Sequence, residues 1–280
     1  MLNTHEIKRA AQAIQKADRM IISAGAGMGV DSGLPDFRGV NGFWRAFPAL
    51  EQLGQRFESM ANPVLLDTHP ELAWGFYGLR LNSYRAVIPH DGFYILGQWA
   101  QAKSDDYFIF TSNVDGQFQK AGFDETRIFE CHGSIHYLQC SQKCTEDIWP
   151  TELFTPVVDE KNCLLLNCKP RCPHCGALAR PNILMFNDGD WISWRSEFQS
   201  TRLREFLGQS GHTVLIEIGA GTAIPTVRNF SQRLARNNDV RLIRINLTEA
   251  QVEQCKDISL TGGALETLST IDAVLNSNYQ

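Results

Sequence analysis

No stretch of the chain approaches the roughly 20 consecutive apolar residues needed to span a bilayer, and Met1 to Met20 carries charges where a secretory leader needs an apolar run. A membrane span and a secretion signal are therefore not expected, and the expected location is cytoplasmic. Internal repeats and low-complexity tracts are also missing, which removes solenoid and fibrous architectures. Positive charge is in short supply: 26 Lys and Arg stand against 31 Asp and Glu, a formal charge of -5. Nucleic acid is bound by clustered Lys and Arg that displace counterions, so no direct nucleic-acid partner is expected. A mildly acidic surface suits a basic peptide instead.

What is present is ordinary globular material, 280 residues of which 43% are hydrophobic and 20% charged. Ile7, Ala10, Ala11 and Ile14 repeat at helical spacing, and the apolar run Met20–Ser23 then stops at a glycine-rich segment. Further runs at Tyr107–Thr111, Val214–Gly219 and Leu242–Leu247, with a helical pattern such as Val227–Ala235 between them, predict an α/β fold. Its parallel sheet would be Rossmann-like, with helices on both faces.

Between the second and third runs lies Cys140–Arg180, rich in Cys, Pro and polar residues, which reads as a small inserted module. Cys140-x3-Cys144 and Cys172-x2-Cys175 have the arrangement of a four-thiolate structural zinc site. Cys163 and Cys168 lie between the pairs and stand as alternatives to Cys144. Cys131 and Cys255 read as core residues.

Gly25-Ala26-Gly27 after a strand lets backbone N–H groups approach a phosphate, but the hydride-transfer fingerprint would need glycine where Val30 stands. Gly219, Gly221, Thr222 and Asn246 sit at later strand ends, where a parallel sheet presents its ligand crevice. Ser32 to Gly39 (Ser-Gly-Leu-Pro-Asp-Phe-Arg-Gly) then packs an acid, an aromatic and a cation into one loop.

On these residues the chain resembles the sirtuin family. The likeness continues through Thr111-Ser112-Asn113-Val114-Asp115, Cys131-His132-Gly133-Ser134, Arg180-Pro181 to Asn187-Asp188, Gly219 to Pro225, and Ile245-Asn246. Departures are Ala24 for a usual Thr, Gly29 for a usual Ser, Ser112 for Gln, Phe118 for His, and Asn187-Asp188 for Gly-Glu.

The resemblance implies an NAD-dependent protein-lysine deacylase, of deacetylase or desuccinylase type, that moves the acyl group to ADP-ribose and releases nicotinamide. It implies a discontinuous NAD-binding domain of residues 1–135 and 183–280 and a zinc module of residues 136–182. His132 would be the catalytic base and Asn113 would orient the ribose. Asp115 would take the nicotinamide carboxamide, Phe37 would cover the reactive face, and Arg38 and Asp36 would hold phosphate and loop. Gly25, Ala26, Gly27, Met28 and Ser112 complete the cofactor set with the later glycines. Met185, Phe186 and Asn187 would meet the acyl-lysine peptide. Tyr77 and Arg80 look similar to the Tyr-x-x-Arg element of sirtuins that remove acidic acyl groups, where a hydroxyl and a guanidinium fork pair with a distal carboxylate. Alternatives are a sirtuin-like ADP-ribosyltransferase or NAD glycohydrolase, or a module that binds NAD and zinc without chemistry.

Overall fold

The computed structural model of the chain describes residues 2–36, 39–52 and 54–277. Helix α1 (Thr4–Lys16) starts where the Asn3 side chain accepts the His5 and Glu6 N–H groups, and it buries Ile7, Ala10, Ala11 and Ile14. β1 (Arg19–Ala24) runs into a 3-10 turn, Ala26–Ser32, closed by Gly33 at φ 89°. Helices α2 (Gly39–Ala46), α3 (Pro48–Gln52), α4 (Phe57–Met60), α5 (Pro63–Thr68) and α6 (Pro70–Ala86) follow one another with short breaks between them. Then come α7 (Asp91–Gln101), β2 (Tyr107–Thr111), α8 (Gln117–Lys120) and β3 (Ile128–Glu130). Short strands follow: β4 (Gly133–Cys140), β5 (Ile148–Pro150), β6 (Val158–Asp159), β7 (Leu164–Leu165) and β8 (Ala179–Ile183). After α9 (Trp194–Leu207) the chain returns through β9 (Thr213–Ile218), α10 (Thr226–Ala235), β10 (Val240–Asn246), β11 (Ile258–Thr261) and α11 (Ala264–Ser277).

The main sheet has the order β11-β10-β9-β1-β2-β3, parallel throughout. Strands covered on both faces read as continuous apolar runs, and β1 is one: Met20 and Ile22 pack against α1, α7 and α11, while Ile21 faces α9 and α10. This is the expected α/β class, with two short edge strands, β3 and β11, beyond those expected. From β1 the chain adds β2 and β3 on one side and later β9, β10 and β11 on the other. The order therefore reverses between β1 and β9, and ligands of such sheets bind at the carboxyl ends of the strands there.

A second layer stands beside this sheet. β5-β4-β8 form an antiparallel sheet and β6-β7 a hairpin, and α6 packs on both. Trp74 donates from Nε1 to the Ala179 carbonyl at 3.0 Å. Gly75 lies so close to the hairpin that a Cβ would fall 1.9 Å from the Cys163 carbonyl oxygen. Cys131 packs, partly buried, against the core on the α9–α10 face, whereas Cys255 is exposed, a correction to its reading as core. Cys255 belongs to a turn after β10 rather than to a helix, so no packed face receives it. Among the described residues no helix is long and apolar enough to cross a membrane.

Candidate active site and cysteine centre

Two glycine corners build the floor of the crevice. Gly25 N–H donates to the Ile218 carbonyl at 3.0 Å, and Gly27 N–H to the Gly219 carbonyl at 3.1 Å. A Cβ on Gly25 would lie 2.8 Å from the Gly219 oxygen, and one on Gly219, at φ 63°, would lie 2.4 Å from the Met28 nitrogen. Side chains are excluded from both corners by backbone, which cannot yield as a flexible side chain would. Above this floor is a cavity of about 380 Å³, lined on the cofactor side by Gly25, Ala26, Asp36, Gly219 and Gly221.

β2 delivers the polar centre. Thr111 Oγ1 donates to the Ala24 carbonyl and accepts the Asn113 N–H, each at 3.0 Å, while Asn113 Nδ2 donates to the Gly25 carbonyl at 3.0 Å. The amide is thus anchored through its nitrogen, on the wall it shares with Ser112. Asp115 Oδ1 accepts the Gln117 N–H at 2.9 Å, and its own carbonyl accepts from His136 Nε2 at 2.9 Å. Burial pushes the Asp115 carboxyl up to about 6; the Gln117 N–H opposes this, Glu130 adds to it, and Arg80 opposes it.

His132 also faces the cavity. Burial lowers its pKa and a hydrogen bond to the Ser112 backbone opposes that, while Nε2 lies 3.4 Å from Thr226 Oγ1. The imidazole is thereby favoured in its neutral form, the form able to accept a proton.

Sign and size follow for Asp115. Unfolded, it ionises in the ordinary aspartate range; folded, only near pH 6. Its folded pKa is raised, so the group destabilises the fold progressively as pH climbs from about 4 through 6, with the full cost above. Asp115→Asn keeps the acceptor for Gln117 and is expected to stabilise the protein by roughly 2–3 kcal/mol at pH 8 and not at pH 4. Thermal unfolding at the two pH values checks this; equal shifts at both would contradict it.

On the far wall, Tyr77, Arg80, Met185 and Phe186 line the cavity. The Tyr77 ring is buried, its hydroxyl has no hydrogen-bond partner among the described residues, and burial pushes its pKa up to about 12. Arg80 Nε donates to Tyr84 Oη at 3.1 Å. Phe186 N–H donates to the Ala61 carbonyl at 2.9 Å, fixing its loop to α4. Asn187 has φ 55°, a left-handed conformation that asparagine tolerates best after glycine, so this departure from the family's Gly preserves the turn. Asp188 forms a buried ion pair with Arg180 and accepts the Met185 N–H at 3.1 Å.

Several proposed site residues lie off the cavity wall. Met28 is buried in the core beneath it, although its carbonyl accepts from His90 Nε2 at 2.9 Å. Gly27, Thr222, Asn246 and Asn187 are likewise outside the lining. Asn246 acts from behind: its Nδ2 donates to the Ala220 carbonyl at 2.8 Å, which also accepts from Arg228 Nη2 at 2.6 Å. Thr222 is held by Glu249, its hydroxyl donating at 2.6 Å. Phe37 and Arg38 lie outside the described residues.

Other contributors were not anticipated. Tyr84 lines the cavity one helical turn beyond Arg80 on α6, a signal that spacing could have supplied. Glu217, fully buried in β9, takes Arg244 through Nε at 2.7 Å and Nη2 at 3.1 Å and lies 3.3 Å from Arg228 Nε. Within an apolar run a lone glutamate gives no hint that it anchors the two arginines behind the Gly219 loop.

Four thiols of the small module come together in the structure. The Sγ atoms of Cys140, Cys144, Cys172 and Cys175 all lie within 4.8 Å of one another, with Cys140–Cys175 and Cys144–Cys172 each at 3.6 Å. Tetrahedral thiolates about 2.3 Å from zinc stand about 3.8 Å apart, so the set fits a zinc ion with every position filled by protein. Cys163 is buried against α6 and, with Cys168, lies outside this set, which removes both as alternatives to Cys144.

Comparison with known proteins follows the same lines. The chain is 26% identical over 256 residues to a protein named NAD-dependent protein deacylase from Leptospira interrogans serogroup Icterohaemorrhagiae serovar copenhageni (strain Fiocruz L1-130), covering 90% of this chain and 91% of the relative. It is 27% identical over 268 residues to a protein of the same name from Pyrococcus abyssi (strain GE5 / Orsay), covering 95% and 96%. Among solved structures, a Sir2 homologue–NAD complex superposes with a TM-score of 0.72 at 21% identity, covering 98% of this chain and 95% of the other. A mutant Sir2 homologue in complex with 2'-O-acetyl ADP-ribose superposes with a TM-score of 0.70 at 21% identity, covering 99% and 97%. The Sir2 family sequence model matches residues 25–212, well over half of the 280, and the chain therefore belongs to the Sir2 family.

Proposed function

We propose that the protein is an NAD-dependent protein-lysine deacylase that transfers the acyl group of an acyl-lysine side chain to ADP-ribose and releases nicotinamide and free lysine. The observation that carries this reading is the convergence of Asn113, Asp115 and His132 on one cavity between the glycine corners and the Met185–Phe186 wall. A site that only bound NAD would need no buried neutral imidazole there.

NAD is consumed as a co-substrate. The glycine corners would seat its phosphates, with Asp36, Phe37 and Arg38 on the loop above them and Gly221 and Thr222 toward the adenosine. Asp115 would accept from the carboxamide, Asn113 would orient the ribose, and His132 would take a proton from a ribose hydroxyl during acyl transfer. Zinc would act by fastening residues 136–182 beside the NAD-binding domain of residues 1–135 and 183–280. A basic acyl-lysine peptide partner belongs to the same reading, supported by the chain's acidic balance, and a cytoplasmic location is proposed with it.

The test is mass spectrometry of products after incubation with NAD and acetyl-, succinyl- and long-chain acyl-lysine peptides. Peptide-dependent nicotinamide release with acyl-ADP-ribose is the expected result. Free ADP-ribose with no acyl product would move the assignment to an NAD glycohydrolase, and ADP-ribosylated protein to a transferase.

One observation bears on the acyl class. The buried, unpartnered Tyr77 hydroxyl lines the cavity beside Arg80, so a carboxylate at the far end of the acyl chain would satisfy it and meet a guanidinium. On this reading Arg80→Met lowers succinyl-peptide turnover by about 10–100-fold, the loss of a charged hydrogen bond, and leaves acetyl-peptide turnover unchanged. Equal effects on both peptides would remove the acidic-acyl preference.

A further inference from the structure

Three described threonines inside helices bond backward along their own helix, while the buried Thr267 hydroxyl of α11 has no hydrogen-bond partner among the described residues. Thr68 in α5, Thr201 in α9 and Thr270 in α11 each donate the hydroxyl to the carbonyl one turn back, at 2.9, 3.1 and 2.7 Å. Thr226 does not. It is the first residue of α10, preceded by Pro225 at the cap, and its hydroxyl is directed instead to His132 Nε2 at 3.4 Å. Among the described residues the hydroxyl has no other hydrogen-bond partner.

We propose that Thr226 is a positioning residue for the His132 base, holding the imidazole in one orientation and supporting both of its protonation states. This rests on the deacylase reading above. The Ser112 backbone also favours the protonated His132 ring, as a carbonyl facing a ring N–H does, and with Nε2 at Thr226 that N–H would be the one on Nδ1. A neutral ring with its proton on that side carries a lone pair on Nε2, which the Thr226 O–H caps at rest. The two contacts, one from each side, oppose rotation of the ring.

In the transfer step the ribose O–H of the co-substrate displaces the Thr226 hydroxyl at Nε2. That O–H bond breaks, its proton passes to Nε2, and the oxygen's electron pair forms the new bond to the acyl carbon while that carbon's π pair to the lysine nitrogen moves onto the nitrogen, which later leaves as the free amine. Once bonded to the acyl carbon, the oxygen is a weaker acceptor for the new Nε2–H. Thr226 Oγ1, turned to present a lone pair, accepts it and leaves the imidazolium paired. A hydroxyl serves both states because it is donor and acceptor at once. A carboxylate here would hold the imidazolium charged and block the base, and an apolar group would support neither state. The 3.4 Å separation suits a contact that must be displaced during each turnover.

The test compares wild type, Thr226→Val and Thr226→Ser in two assays: nicotinamide exchange with labelled nicotinamide in the presence of NAD and acyl peptide, which precedes the base-dependent step, and formation of free lysine peptide. Valine keeps the shape and removes the oxygen. The expected result for Thr226→Val is unchanged exchange, unchanged KM for NAD and peptide, and a kcat for deacylation lower by about 10–100-fold, the worth of a hydrogen bond to a charged group. Thr226→Ser should restore most of it. Equal losses of exchange and deacylation in the valine variant, or deacylation unaffected, would overturn the proposal. Wild type that forms no deacylated peptide would overturn the deacylase reading itself, and this proposal with it.

Discussion

His132→Ala is expected to lower acyl transfer by about 10²–10⁴-fold, the range over which a positioned general base contributes, while the fold and nicotinamide exchange persist. The separation of the two steps follows from the geometry. His132 sits on the segment between β3 and β4, tied to Ser112 and Thr226, whereas the proposed carboxamide acceptor Asp115 is held independently by Gln117 and His136. Removing the imidazole therefore leaves the pocket for the leaving group intact. The measurement is the ratio of labelled-nicotinamide exchange to acyl-ADP-ribose formed in the variant. A variant that still forms acyl-ADP-ribose at the wild-type rate would show that another group is the base. One that has lost exchange equally would place His132 in cleavage of the nicotinamide bond instead.

Cys172→Ser is expected to have the largest structural effect. Its thiol is buried, and it is one of four sulfurs whose spacing suits a single metal ion, so serine leaves an incomplete tetrahedron. Structural zinc sites contribute on the order of 10–16 kcal/mol in small metal-dependent modules, far more than the little hairpin β6-β7 and the short strand β5 could supply alone. Metal analysis should give about one zinc per wild-type chain and markedly less in the variant. Limited proteolysis should cut the variant first between Cys140 and Cys175. The damage should then reach α6, because Gly75 rests against the Cys163 carbonyl and Trp74 donates to Ala179. A variant with wild-type zinc content and protease resistance would mean that the sulfurs cluster without a structural metal.

The central strands were legible in the sequence because burial on both faces writes them as unbroken apolar runs; Tyr107–Thr111 coincides with β2. β3 and β11 were not, since a strand of three or four residues on the edge of a sheet leaves too short a run to register. Helices α2 to α5 are brief and take their stability from packing around Phe43, Phe47 and Phe76, which pattern alone cannot display. The polar motif residues stood out because Asn113, Asp115 and His132 adjoin strand ends. What supports them did not: Thr226 reads as an ordinary helix start, and Glu217 hides in a run of valine, leucine and isoleucine. Asn187, which by sequence is only a departure from glycine, becomes intelligible once its positive φ is known.

The interlocked glycine corners also bear on how the molecule is made. Gly25 follows β1 and Gly219 follows β9, and Ala24 pairs with Ile218 across the join. A ribosome that has delivered everything through the cysteine segment has still produced only one side of the crevice floor. Contacts between such distant parts of a sequence close late, after the entropy of the intervening loop has been overcome. Until then the first glycine corner lacks the backbone that fits against it, so a nascent chain has no complete pocket with which to consume dinucleotide. Activity should therefore appear in one step, with the arrival of the β9 corner, rather than in proportion to the length synthesised.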